Sequence, residues 1–354
     1  MELRAQRPEL PGHVRRVRAD GHRRRADRLD AHLQQRQGLR RRRRADRSGG
    51  VPGQAGHPVT WGALAANISG IRNVAHAVLT FSGTWAPPGV GYPSDVVNGL
   101  AQYVDDGLCY EVPVQAPWSF GPVGGPAGSP SYQESVDTAV DWAANWIRTH
   151  PLQTFVLDGY SQGAEAATRV LLRLMFGDLK PYLGNFIGGI TFGNPSRGAT
   201  FHAPTIADPG GRGISSTRMT ELPTIDGRVI WADYVHSPAN GDAGLDMYAS
   251  VPTNGTGDDM TYVYTIATAL QLHDFSGFTT FITNALEDAG KAVEAPISAV
   301  DAAIKGVQFL AAPGGPTAPH ISYLGEIGGY SNLVGQAVGF LHDLTTAVPA
   351  RCAA

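Results

Sequence analysis

The sequence predicts an α/β fold, with a central parallel sheet covered by helices on both faces. Three observations predict it. Short runs of β-branched and aromatic residues alternate with segments of helical periodicity, which implies βαβ units. Pro- and Gly-rich stretches separate these segments. One apolar run, Thr154-Phe155-Val156-Leu157, leads through Gly159-Tyr160-Ser161-Gln162-Gly163 into an Ala- and Leu-rich segment ending near Met175. A serine at the apex of a turn between strand and helix is the context in which G-x-S-x-G carries chemical meaning, and the class it suggests is α/β-hydrolase-like.

The elements follow in order. Ala77–Phe81 reads as a buried strand, followed by a loop through Gly83, Thr84 and Gly89. Residues 95–106 place Val96, Val97, Leu100 and Val104 at helical spacing. Tyr110–Val114 reads as a second strand, and the Pro/Gly-rich stretch 117–130 as loop. Ser131 and Glu134 form a capping box that opens a helix to about Thr149, with Val136, Ala139, Val140, Ala143 and Ile147 on one face. After the serine unit, Phe186–Phe192 and Arg228–Tyr234 read as the fourth and fifth strands. Residues 260–312 carry apolar residues at helical spacing with few strand signals, so a helical insertion, a cap or linker, is expected there.

Composition and charge bound the rest. The 354 residues are 42% hydrophobic and 17% charged, with a net charge of −3. That figure conceals an asymmetry: residues 1–50 hold 16 arginines against six acidic residues, a net +10, and the remainder carries −13. The head, residues 1–55, offers little to bury and repels itself, so a disordered extension or a stretch outside the natural reading frame is expected. An Arg-rich arm is also the composition of a nucleic-acid binder, but the acidic body and the lack of a recognition motif argue against that partner. No apolar run reaches the length of a membrane span. The start, Met1-Glu2-Leu3-Arg4, lacks the apolar core of a signal peptide. Cys109 and Cys352 are the only cysteines, without metal-ligand spacing, and their pairing is left open. Neither a nucleotide loop nor a metal cluster is found, so no cofactor is expected.

A serine nucleophile needs an imidazole to take its proton and a carboxylate to orient that imidazole. In this topology the chain order is serine, acid, histidine. His76 precedes Ser161, whereas His202, His236, His273, His320 and His342 follow it. His320 comes after the loop Ala311–Pro319, and order and loop context favour it. The loop after the fifth strand offers Asp242 and Asp246, with Asp233 at its start.

Several of these pieces recur together in one family. Gly-Tyr-Ser-Gln-Gly at 159–163, Gly193-Asn194-Pro195 with Arg197, Asp233-Tyr234 followed by Asp246-Met247-Tyr248-Ala249-Ser250, and Pro319-His320 with Tyr323 resemble, in the same order, the lysin B esterases of mycobacteriophages, which are similar to cutinases. The resemblance covers roughly residues 75–345. It implies Ser161 as nucleophile, Asp246 as acid and His320 as base, with the backbone amides of Thr84 and Gln162 as the oxyanion hole. An insertion around 237–244 keeps Asp242 open beside Asp246. It further implies hydrolysis of the mycolic ester of mycolyl-arabinogalactan during host lysis, at the host cell envelope. Pro58–Leu64 resembles the last turn of a peptidoglycan-binding domain, and a peptidoglycan contact is the expectation that follows; residues 71–354 would form the catalytic domain. A cutinase-like lipid esterase and a non-catalytic wall-binding protein are the competing readings.

Overall fold

The computed structural model describes residues 75–103, 107–121, 125–126, 128–269 and 317–352. The Arg-rich head, the Pro58–Leu64 segment, Val104 and His273, and the expected insertion beyond residue 269 lie outside the described residues.

Five parallel strands form the main sheet: β1 (His76–Phe81), β2 (Cys109–Pro113), β3 (Phe155–Tyr160), β4 (Phe186–Phe192) and β5 (Trp231–Tyr234), in the order β2-β1-β3-β4-β5. Parallel strands buried on both faces are apolar throughout, and β1 and β4 have no exposed residue. Helix α1 (Tyr92–Gly99) follows β1, α2 (Tyr132–Thr149) precedes β3, and α3 (Gln162–Phe176) follows it. Helix α4 (Gly255–Thr268) follows β5, and α5 (Leu333–Ala347) is the last helix among the described residues. Helices α2 and α3 pack on each other over one face of the sheet, and α1 and α5 pack on each other over the opposite face. This is the α/β-hydrolase-like architecture, covered on both sides.

Helix α2 begins as its sequence dictates. Ser131 Oγ accepts the Glu134 amide at 3.1 Å, and the Glu134 carboxylate accepts the Ser131 amide at 2.9 Å. Both orphan donors of the first turn are thereby satisfied. Its buried face holds Val136, Ala139, Val140, Ala143 and Ile147.

Two elements differ from the sequence reading. The first helix starts earlier, at Tyr92 with Pro93 in its first turn, and gives way after Gly99 to a 3₁₀ turn at Leu100–Gln102. The fifth strand is shorter. Arg228–Val229 instead pairs antiparallel with Thr224–Ile225, and only Trp231–Tyr234 joins the sheet. The cause is Asp226-Gly227, at φ 51° and 78°, a two-residue turn whose left-handed backbone matches the twist of a hairpin. Cys109 and Cys352 are both free thiols.

The order 2-1-3-4-5 reverses direction between β1 and β3, and ligands bind such sheets outside the carboxyl ends of the strands at that switch point. The loop through Thr84 and the turn holding Ser161 emerge there, from adjacent strands.

Candidate active site

Ser161 stands between β3 and α3 with φ 54° and ψ −117°. A non-glycine residue there is strained by roughly 1–3 kcal/mol and persists only where its surroundings enforce it. They do so here. The Ser161 amide donates to the Phe192 carbonyl at 2.9 Å, and its own carbonyl accepts the Ala164 and Glu165 amides. The flanking glycines have no substitute. A Cβ on Gly163 would sit 2.1 Å from the Phe81 carbonyl oxygen, and one on Gly159 would sit 2.6 Å from the Gly163 oxygen.

His320 ends a 3₁₀ turn, Ala318–His320. Its Nε2 lies 2.8 Å from Ser161 Oγ, and its Nδ1 lies 2.8 Å from Asp246 Oδ2. The ring stacks on Tyr248 at 4.2 Å, and the Tyr160 hydroxyl donates to the His320 carbonyl at 2.9 Å. Ser161, Asp246 and His320 are all buried. The fold thus brings together the three side chains expected from the sequence, in an unbroken line of hydrogen-bond distances.

Asp246 is fixed by its own loop. Its Oδ1 accepts the Tyr248 amide at 2.9 Å, its amide donates to the His236 carbonyl, and the Tyr323 hydroxyl donates to Oδ2 at 2.6 Å. Burial pushes this carboxyl up. The facing His320 ring, the Tyr323 hydroxyl and the Tyr248 amide outweigh burial and hold it below the usual carboxylate range. The site therefore favours a charged carboxylate beside Nδ1, which fixes the tautomer with Nε2 free to accept a proton.

The other carboxylates lie elsewhere. Asp242 Oδ2 is 3.0 Å from His236 Nδ1, and its Oδ1 accepts the Ser331 amide and hydroxyl. Asp233 accepts from Asn194 Nδ2 at 2.7 Å and Trp231 Nε1 at 3.1 Å, bracing the turn after β4. His76 is held by Thr154 and the Val348 carbonyl at the far end of the sheet, and His342 stacks on Tyr103.

Three contacts go beyond the roles that the sequence motifs assigned to their residues. Gln162 Nε2 donates to the Ser119 and Tyr132 carbonyls, tying the loop before α2 to the serine turn. The fully buried Arg197 guanidinium donates to the carbonyls of Ala249, Phe201 and Gly210, clamping the loop just past Asp246. Gly193 has φ 55°, and a Cβ there would lie 2.6 Å from His320 Cε1. All three residues stand in the motifs at 159–163 and 193–197, but the contacts they make become visible only once the backbone is known.

A cavity of about 160 Å³ opens onto Ser161 and His320. Its walls are largely aromatic, from Trp85, Phe120, Tyr132 and Tyr248, and Thr84 stands at its edge. The Gln162 amide opens α3, so no preceding helical carbonyl accepts from it and the helix dipole favours negative charge in front of it. Among the described residues, no cluster of three or more His, Cys, Asp or Glu side chains could hold a metal ion. No described helix is long and apolar enough to cross a membrane.

No protein-family model and no curated protein matches this chain. Solved structures do. Lysin B from Mycobacteriophage D29 superposes with a TM-score of 0.53 at 20% identity, over 76% of this chain and 99% of that one. At that identity the likeness establishes a shared fold. An acetylxylan esterase (TM-score 0.35, 20% identity, 53% of this chain and 93% of that one) and a cutinase-like protein from Cryptococcus sp. (0.33, 17%, 60% and 95%) resemble it more loosely, and no argument rests on them.

Proposed function

We propose that the chain is a serine carboxylic-ester hydrolase of the lysin B type. The observation that carries this reading is the line from Ser161 Oγ through His320 to Asp246, with 2.8 Å at each step. In the proposed reaction Ser161 Oγ attacks the ester carbonyl carbon while its proton passes to His320 Nε2. Asp246 stabilises the imidazolium through Nδ1–H. The oxyanion of the tetrahedral intermediate is held by the Thr84 and Gln162 amides. Collapse breaks the bond to the alcohol, which leaves with the proton from Nε2. Water, deprotonated by the same imidazole, then cleaves the acyl-enzyme.

The substrate proposed is the mycolic ester of arabinogalactan in a host envelope. Two things support it: the ordered motifs of the serine turn, the Gly193 turn and the acid and histidine loops, and the overlap in fold with a lysin B. The aromatic cavity suits an apolar acyl chain, a property that a general lipid esterase would share. Release of free mycolate from purified mycolyl-arabinogalactan, compared with fatty acid from a triglyceride, separates the two. Ser161→Ala is expected to leave the fold intact and abolish turnover of p-nitrophenyl butyrate. Near-full activity in that variant would remove Ser161 from the reaction.

A further inference from the structure

Behind the reacting groups lies a phenol with no task in the scheme above. The Tyr323 hydroxyl donates to Asp246 Oδ2 at 2.6 Å, the same oxygen that faces His320 Nδ1 at 2.8 Å. The Tyr323 ring is fully buried. It meets Tyr92 and Phe192 edge-on, with centroids 5.5 and 5.4 Å apart, and stacks on His236 at 4.7 Å. His236 is wedged in turn, its Nδ1 3.0 Å from Asp242 Oδ2 and its Nε2 3.3 Å from the Ser322 carbonyl. Asp242 is anchored by the Ser237 and Ser331 amides. Even the Tyr323 backbone is committed, because its carbonyl accepts the Leu333 and Val334 amides at the start of α5.

We propose that Tyr323 is a positioning residue for ester hydrolysis: its hydroxyl, on a ring shelved against the His236–Asp242 pair, aims Asp246 Oδ2 at His320. This rests on Ser161 being the nucleophile. A carboxylate can rotate about its last bond, and the Tyr248 amide holds only Oδ1. Tyr323 secures the other oxygen, and a side chain already immobilised by packing loses little entropy in making that bond. The bond also sets charge. An O–H donor draws negative charge from Oδ2, so removing it leaves more charge facing the imidazole and favours imidazolium. The free base needed for attack then forms only at higher pH.

The other groups around Asp246 do not supply this effect. Burial pushes the phenols of Tyr160, Tyr92 and Tyr248 up, so they stay neutral. Arg197 stays charged, as a guanidinium does in proteins. His236 and its neighbour Asp242 are present in both the wild type and the variant.

The test is the pH profile of kcat/KM on p-nitrophenyl butyrate for the full chain, Tyr323→Phe and Ser161→Ala. For Tyr323→Phe, kcat is expected to fall about tenfold with KM unchanged, and the acidic limb to move up by roughly half to one pH unit. Site-specific 3,5-difluorotyrosine at 323 strengthens the donor without altering packing and is expected to move the limb the other way. A folded Tyr323→Phe protein with the wild-type limb overturns the proposal, even if its rate is lower, because a packing role alone would not move that limb. An unmoved limb in the fluorinated protein overturns it as well, should Tyr323→Phe not fold. Activity retained in Ser161→Ala would instead sink the reading on which the proposal rests.

Discussion

Gly193→Ala isolates the geometry on which the proposed reaction depends. The added methyl would lie 2.6 Å from His320 Cε1, and 2.7 Å from both His320 Nδ1 and Asp246 Oδ2. Ordinary contact begins near 3.5 Å, so the ring or the carboxylate must retreat by about 1 Å. Neither can do so freely. The His320 ring is stacked on Tyr248, and Asp246 is bonded to Tyr323 and the Tyr248 amide. A displacement of that size typically costs about 10²-fold in rate. The φ of 55° adds strain of roughly 1–2 kcal/mol for a residue with a Cβ, equivalent to a melting temperature a few degrees lower. The assay is kcat/KM on p-nitrophenyl butyrate beside the rate of fluorophosphonate labelling of Ser161. Both should fall together by about two orders of magnitude in a protein that still melts cooperatively. A folded variant within twofold of wild type on both would mean that contact between His320 and Ser161 is not what activates the hydroxyl.

Further expectations follow from individual side chains. Asp246→Asn should lower kcat by up to about 10⁴-fold, since an amide facing Nδ1 favours the wrong tautomer. Asp242→Asn, which touches His236 rather than His320, should keep activity within about tenfold while melting earlier, and the reverse ranking on the same ester would move the acid to Asp242. Asp158, fully buried on β3, has both carboxyl oxygens without a hydrogen-bond partner among the described residues. Burial first, and Glu111 second, push its pKa well up, so the folded state keeps a proton that the unfolded chain releases above about pH 4. Folding is therefore penalised by about 1.4 kcal/mol per pH unit between the unfolded and folded values, and stability is lost as pH rises through that window. Asp158→Asn should gain on wild type steadily as thermal melts move from pH 4.5 to 7.5, and a difference that stays constant with pH would refute the assignment.

Much of the architecture was legible in local pattern. The capping box at Ser131, the apolar run of β4 and the glycines around Ser161 each dictate their conformation through neighbours a few residues away, and these elements form as read. The Asp226-Gly227 turn is equally local, an Asp-Gly pair of the kind that closes a hairpin and so splits the fifth strand. The chemistry-bearing side chains are a different matter. Order along the chain narrowed the histidines, and the insertion around 237–244 kept Asp242 open beside Asp246. Which carboxylate meets His320 depends on contacts from distant segments: Arg197 clamping the loop through the Ala249 carbonyl, the space left by the missing Cβ of Gly193, and Tyr323 reaching back from the other end of the chain. Sequence alone determined the βαβ frame and the serine turn, since hydrophobic periodicity and backbone sterics act over a few residues. Only the folded chain decided the partners of that serine, since distances near 3 Å between residues 74 and 159 positions apart are set by packing, to which no local pattern is sensitive.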